Sequence, residues 1–210
     1  MLYLTRHGQT DWNVIRRYQG ATDIMLNDKG REQARAVQIG LKDIKFDRVI
    51  SSPRIRAIES ASIITGLDTS NIETFDELGE VGLGDWEGLY EEAIRSEIGD
   101  EYDAWRKHAG LIAPPNGETL FHVMARLYEK VEEWLNDAKL KNILIVAHQG
   151  TNAAILMLIT GLVGCKYAKL YRQTNSQVDV IEPETRTIVK TLVFDDALPR
   201  EFPKENQSTK

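Results

Sequence analysis

Leu2-Tyr3-Leu4-Thr5-Arg6-His7-Gly8-Gln9-Thr10 begins as a short apolar run of branched and aromatic residues and then breaks into a cation, an imidazole and a glycine. The run reads as a strand. A strand ending in Arg-His-Gly sets a nucleophile beside a fixed positive charge, and the glycine lets the backbone come close to whatever binds there. Taken alone, the tripeptide is also what a satisfied histidine at a strand end looks like, so its meaning rests on the rest of the chain.

The same form occurs twice more. Phe46 to Ile50 reads as a second strand, ending at Ser51-Ser52-Pro53. Ser52 suits a helix N-cap and Pro53 the first helical position, which predicts a helix from Pro53 to about Thr65 with Arg54 and Arg56 in its first turn. A helix N-terminus favours anions through its unpaired N–H groups, and an arginine there adds a clamp of phosphate geometry. Asn142-Ile143-Leu144-Ile145-Val146-Ala147 is an uninterrupted apolar run of the kind buried on both faces of a parallel sheet. It ends at His148-Gln149-Gly150, and a helix of small and branched residues is predicted from Thr151 to Leu162. Strands alternating with helices imply an α/β fold with a largely parallel sheet, and such folds bind ligands outside the carboxyl ends of their strands. Arg6, His7, Arg56 and His148 all fall at those ends. Core packing does not explain that placement, so an anion site is expected.

Between these segments lies a long loop, Gln9 to Asn27, and then a helix capped by Asn27 that runs to about Leu41 on Ala34, Val37 and Leu41. Asn71 to Phe75 reads as a short third strand. From Gly79 to Gly88 four glycines in ten residues exclude a regular element. A carboxyl group beside aromatic bulk in such a loop is open to partial desolvation, which favours its protonated form. Leu89 to about His108 is predicted helical and acidic, broken at Gly99 and stopped by Pro114-Pro115-Asn116-Gly117. Glu118 to Ala138 is predicted as a long amphipathic helix with Leu120, Val123, Met124, Leu127, Val131, Trp134 and Leu135 on one stripe. Gln177 to Ile181 and Thr187 to Phe194 read as a final hairpin, and residues 196–210 as a polar, disordered tail.

The chain has 210 residues, 42% hydrophobic and 28% charged, enough for one domain with a sizeable core. A net charge of −6 argues against general nucleic-acid binding. Its distribution says more: residues 1–56 hold 11 Lys and Arg against 6 Asp and Glu, so positive charge gathers around the Arg-His-Gly. Residues 73–103 carry twelve acids and only Arg95 as a base. The single cysteine, Cys165, excludes disulfides and cysteine metal sites, and no His-x-x-x-His or Asp-x-Asp spacing is present, so no metal is expected. With no basic leader and no unbroken apolar span, neither a signal peptide nor a membrane segment is expected, and the location is cytoplasmic by default. His108 and His122 fall away from the strand ends and read as structural.

Arg6-His7-Gly8-Gln9-Thr10 with Trp12-Asn13, then Gln19-Gly20, Ser51-Ser52 with Arg56, Glu80 with Gly84-Asp85-Trp86-Glu87-Gly88, Gly117-Glu118 and His148-Gln149-Gly150 together resemble the histidine phosphatase superfamily, the phosphoglycerate mutase-like proteins. The resemblance spans residues 2 to about 180. It implies a three-layer α/β/α fold with a mostly parallel sheet, forming one domain over residues 1–195 with a short helical cap at about 81–117. It also implies roles. His7 is the nucleophile that becomes phosphohistidine, Arg6, Arg56 and His148 surround the transferring phosphoryl, and Glu80 gives a proton to the leaving group. Asn13 resembles a further phosphate ligand, Gln19 lies at the substrate mouth and Gln149 near the leaving group. The chemistry agrees: a phosphoryl in flight spreads charge over its oxygens and needs fixed cations, and those cations keep His7 neutral. Pro53-Arg54 stands where Asp-Leu is common in the family, Ser60 where Thr is common and Gln149 where a second glycine is frequent. The last departure bears on the shape near the leaving group.

Cofactor-dependent mutases of the family resemble one another in a long insertion after the acid, rich in Arg and Lys. Here the stretch from Glu80 to Gly117 has no Arg-Arg pair and only Arg95, Arg106 and Lys107 as bases. A short acidic cap is the pattern of a phosphatase acting on a small phosphorylated metabolite. A phosphoglycerate mutase working through a bisphosphate is the alternative, and a phosphoprotein-binding module is disfavoured because it needs neither His7 nor Glu80. No cofactor is implied. The expected partner is a small phosphomonoester, with no nucleic acid and no membrane, and a homodimer is left open. Trp86, Tyr102, Trp105 and Leu111 are readable as either substrate mouth or core.

Overall fold

The computed structural model describes residues 1–108 and 110–194. All five residues of β4 (Ile143–Ala147) are buried, as a strand with no polar face requires. It lies between two parallel partners, β1 (Leu2–Arg6) and β2 (Arg48–Ser51). A short β3 (Glu73–Thr74) pairs parallel to β2 at one edge. On the other side β5 (Gln177–Glu182) runs antiparallel to β1 and β6 (Thr187–Val193) antiparallel to β5, so the strand order is β3-β2-β4-β1-β5-β6. Four strands are parallel, and the expected hairpin completes the sheet.

Alternation along the strands sorts side chains onto two faces. Leu2, Leu4, Ile50, Ile143 and Ile145 pack with α6 (Leu120–Ala138) and α7 (Gln149–Thr160). Tyr3, Val49, Leu144 and Val146 pack with α2 (Asp28–Gly40) and α3 (Ile55–Thr65). The architecture is three layers, α/β/α. Every residue of the α6 stripe named from the sequence is buried. A third, smaller core gathers Leu83, Trp86, Ile94, Tyr102 and Trp105 around α4 (Glu91–Glu97) and α5 (Gly99–His108), which form the cap.

Several boundaries differ from the sequence reading. Helix α3 starts at Ile55, with Arg54 as its N-cap and no side-chain capping bond. Ser52 instead accepts the Arg54 N–H at 3.3 Å and meets His148 Nε2 at 2.7 Å, so its hydroxyl serves the strand ends rather than a cap. Helix α7 starts at Gln149, directly after its N-cap His148. The third strand is reduced to two residues, and a helix not expected, α8 (Cys165–Leu170), follows α7. Among the described residues no helix is long and apolar enough to cross a membrane. The tail predicted at 196–210 lies outside the described residues.

Candidate active site

The carboxyl ends of β1, β4 and β2 lie side by side, so the residues that leave them meet. His7 N–H donates to Ala147 O and Ser52 N–H to Val146 O, each at 3.0 Å, which fixes the two exits against β4. The His7 and His148 rings stand 5.1 Å apart between centroids. His7 is 2% exposed. Its Nδ1 is 2.7 Å from the Gly8 carbonyl, an atom that can only accept, so the ring proton is assigned to Nδ1 and Nε2 carries the lone pair. Arg56 Nε donates to that lone pair at 3.3 Å. Burial first, and then the charges of Arg56 and Arg6, hold His7 well below the ordinary imidazole pKa of 6.5. The ring is neutral and lies beside fixed cations.

Gly8 is required by packing. A Cβ there would stand 2.3 Å from Gly30 O in the first turn of α2. Gly8 N–H donates to Ser60 Oγ at 3.0 Å, and that hydroxyl donates to Arg56 O at 2.7 Å, so Ser60 ties the His7 loop to the turn of α3 that carries Arg56. The guanidinium of Arg56 donates to Thr22 O at 2.7 Å and Gly20 O at 3.0 Å. Glu87 fixes the loop that carries those carbonyls. Its carboxylate accepts Ala21 N–H at 2.9 Å, Thr22 N–H at 3.1 Å and the Thr22 hydroxyl at 2.9 Å. Gly20, at φ +50°, leaves room for it, since a Cβ there would stand 2.2 Å from Glu87 Oε1.

His148 is fully buried, and it is held well below the ordinary imidazole pKa by burial and then by Arg56. Ser52 Oγ already accepts the Arg54 N–H, so the assignment that leaves fewest groups unpaired sends the Ser52 proton to His148 Nε2 and puts the ring proton on Nδ1. That Nδ1 has no protein partner. Arg6 is in the same condition: one guanidinium nitrogen donates to Gln173 O at 3.3 Å, Nε is buried without a partner, and burial lowers its pKa to about 10. Glu80 Oε1 accepts N–H groups from Val81 at 2.9 Å and from Gly150 and Thr151 at 3.1 Å, the last two in the first turn of α7. Only the Gly150 N–H, at 3.3 Å, reaches Oε2.

Arg6, His7, Asn13, Gln19, Arg56, Glu80 and Gln149 line one cavity of about 320 Å³, the size of a small-ligand site. His148 lies behind them and does not line it. Asn13 is turned partly inward: its side-chain oxygen accepts Thr10 N–H at 3.0 Å within the cap of a single helical turn, α1 (Asp11–Val14). Gln149 donates to Gln173 O at 3.2 Å, the carbonyl that also accepts from Arg6. The four residues left open from the sequence separate. Trp105 reaches the cavity, Trp86 and Tyr102 are buried in the cap core, and Leu111 is exposed. Trp86 packs 5.2 Å from Trp105, and Glu80, the acid of that loop that lines the cavity, meets helix N–H groups.

Sequence reasoning also missed the residues behind the site. Gln173 donates to Leu4 O at 2.9 Å and accepts from Asn152 at 2.7 Å, and Asn175 donates to His7 O at 2.6 Å. Glu87 stood inside a quoted motif without a role. An acid between glycines was its only signal.

The chain belongs to the histidine phosphatase superfamily, branch 1, whose family model matches residues 2–196. It is 34% identical over 169 residues to a 2,3-bisphosphoglycerate-dependent phosphoglycerate mutase of Cytophaga hutchinsonii, covering 75% of this chain and 76% of that one. It is 31% identical to the adenosylcobalamin/alpha-ribazole phosphatase of Escherichia coli, covering 77% and 79%. A mycobacterial glucosyl-3-phosphoglycerate phosphatase solved with VO3 superposes with a TM-score of 0.76 at 32% identity, over 85% of this chain and 90% of that one.

Two predictions follow from the geometry. Since Glu87 acts through Arg56, Glu87→Gln should lower phosphomonoester turnover by roughly 10², the cost of a small misplacement. The double variant with Arg56→Ala should be no slower than Arg56→Ala alone; additive losses would contradict the coupling. His7 and His148 are held neutral, so as pH falls below about 6.5 the unfolded chain takes up protons that the folded chain refuses. Stability should therefore fall with pH from that point and show no contribution from these rings above it. Urea midpoints at pH 7.5 and 5.5 should differ less in His7→Gln than in the wild type, and equal slopes would contradict the assignment.

Proposed function

We propose that the chain is a metal-independent hydrolase of small phosphomonoesters that works through a phosphohistidine on His7. The observation that carries this reading is the buried, neutral His7 ring, with its Nε2 lone pair presented beside Arg56 in the cavity that also holds Arg6 and Glu80. An arriving phosphoryl group takes over N–H groups of Arg6 and Arg56, with Asn13 as a further ligand, while His148, which the sequence reading set against the phosphoryl, stands behind the lining next to His7. Nε2 attacks phosphorus, the P–O ester bond breaks, and the departing oxygen takes a proton from Glu80 Oε2, the carboxyl oxygen less engaged by helix N–H groups. Water then attacks phosphorus, the P–N bond breaks, Glu80 takes the water's proton and inorganic phosphate leaves. Fixed donors aimed at the phosphoryl oxygens supply the stabilisation such a loose transition state needs.

Relatives named as phosphatases support hydrolysis, and so does the short acidic stretch at 81–117, read as a cap on a single domain over 1–195. The mutase reading draws on the relatives named as mutases. A cytoplasmic setting suits a chain whose one cysteine is free.

The test uses protein treated with EDTA, assayed on p-nitrophenyl phosphate and on an alkyl phosphate. Both should release inorganic phosphate. An alkoxide depends on a proton to leave and p-nitrophenolate does not, so Glu80→Gln should cost roughly 10²–10⁴ on the alkyl ester and little on the aryl ester. Equal losses would make Glu80 a positioning residue. Activity abolished by EDTA and restored by metal would overturn the metal-independent mechanism. Phosphoglycerate isomerisation that outruns phosphate release when 2,3-bisphosphoglycerate is present would replace hydrolase with mutase.

A further inference from the structure

Three side-chain amides line the cavity, those of Asn13, Gln19 and Gln149. The oxygens of two are engaged: Asn13 Oδ1 accepts Thr10 N–H at 3.0 Å, and Gln19 Oε1 accepts the Thr10 hydroxyl at 3.1 Å. Gln149 differs. Its amide lies 3.2 Å from Gln173 O, an atom that can only accept, so the NH2 end is assigned to that carbonyl and Oε1 to the opposite end. Among the described residues no group donates to Oε1. The cavity therefore holds one neutral acceptor that the protein itself leaves unused.

Two sets of bonds place this amide. Gln173 O also accepts from Arg6 at 3.3 Å, so the Gln149 amide and the Arg6 guanidinium share one anchor. Gln149 is also the first residue of α7, and the next two, Gly150 and Thr151, give their N–H groups to the Glu80 carboxylate at 3.1 Å. Gln149 thus stands between the cation that meets the phosphoryl oxygens and the acid that handles the proton. Displacement at phosphorus runs in line, so a water attacking the phosphohistidine enters where the leaving oxygen has just been, on the Glu80 side. That water has two O–H groups. One gives its proton to Glu80, and the other needs an acceptor if the oxygen lone pair is to face phosphorus.

We propose that Gln149 Oε1 accepts the second O–H of the attacking water and so aims its lone pair at phosphorus. This rests on the phosphohistidine reading and deepens it. In the step the water oxygen bonds to phosphorus, and the P–N bond breaks with its electron pair returning to His7 Nε2. One water proton goes to Glu80 Oε2, and the other stays on the product oxygen, held by Gln149. A choice between acceptors follows. An alcohol in the water's place has a single O–H, which goes to Glu80, and Gln149 Oε1 is left without a donor. Gln149 therefore favours hydrolysis over transfer to an alcohol, and the glycine frequent at this position in the family has no side chain with which to do so.

The test reads a product ratio. p-Nitrophenyl phosphate is turned over in water containing methanol, and methyl phosphate and inorganic phosphate are counted by phosphorus NMR. Gln149→Met, which keeps the length of the side chain and removes the acceptor, and Gln149→Gly should each raise methyl phosphate relative to inorganic phosphate by roughly 3- to 10-fold, the scale of one hydrogen bond. The ratio is internal to each reaction, so it does not depend on how much of a variant is folded, and a purely structural role would slow both acceptors alike. Labelled phosphoenzyme isolated from Gln149→Met should also decay in water more slowly than the wild type by a similar factor, while its formation changes less. If methanol is phosphorylated by none of the proteins, that decay rate decides alone. A ratio unchanged in both variants, a rise in Gln149→Gly without one in Gln149→Met, or equal decay rates would overturn the role of Gln149 and leave the phosphohistidine intact. A wild type that hydrolyses the ester without labelling His7 would overturn the phosphohistidine reading, and the water's acceptor with it.

Discussion

The bond from His7 Nδ1 to the carbonyl of the next residue is the constraint on which the site depends. It needs the chain to turn back on itself at Gly8, and the turn fits only because Gly8 and Gly30 both lack a Cβ: added there, the two would stand 2.3 Å from Gly30 O and 2.1 Å from Gln9 O. With the proton on Nε2 instead, two lone pairs would face each other at Nδ1 and two N–H groups at Nε2. Leaving two buried groups unpaired costs roughly 2–6 kcal/mol at 1–3 kcal/mol each, enough to hold the ring almost wholly in one tautomer. The lone pair on Nε2 is therefore built into the fold before any ligand arrives.

The cations around that lone pair are held in an unusual way. Arg56 is fixed by the carbonyls of Gly20 and Thr22, and Arg6 by that of Gln173. Dipoles orient a guanidinium without cancelling its charge. Arg48, at the opposite end of β2, shows the contrast: Glu73 and Asp137 each sit 2.6 Å from it, and its pKa is raised, first by its hydrogen bond to Glu73. One arginine is spent on holding elements together. The other two keep their field for an incoming anion, and their pKa values move the other way, lowered chiefly by burial.

The layers and the strand ends were legible in the sequence because both follow from local patterns. Alternation in Leu2-Tyr3-Leu4, the unbroken run from Ile143 to Ala147 and the stripe on α6 each fix which side is buried. They also place His7, Arg56 and His148 at one edge. What was not legible depends on contacts between residues far apart in the chain. Glu87 holds the 20–22 loop, Gln173 and Asn175 brace β1 and the exit from it, and Arg172 reaches the cavity from the far end of the chain. Ser52 was misread for the same reason: locally it is a good N-cap, but a hydroxyl 2.7 Å from His148 has a better partner. Trp86 was ambiguous because an aromatic beside glycines fits a mouth or a core equally well, and only the positions of Tyr102 and Trp105 decide.

The account's central claim is that His7 presents Nε2, and only Nε2, to phosphorus. Phosphoenzyme trapped by rapid quenching into base, where phosphohistidine survives, can be digested and the ring position of the phosphoryl group read by NMR of the labelled peptide. The account predicts a single adduct, on His7 at Nε2, absent from His7→Ala. Phosphate on Nδ1, or an undiminished label in His7→Ala, would contradict it.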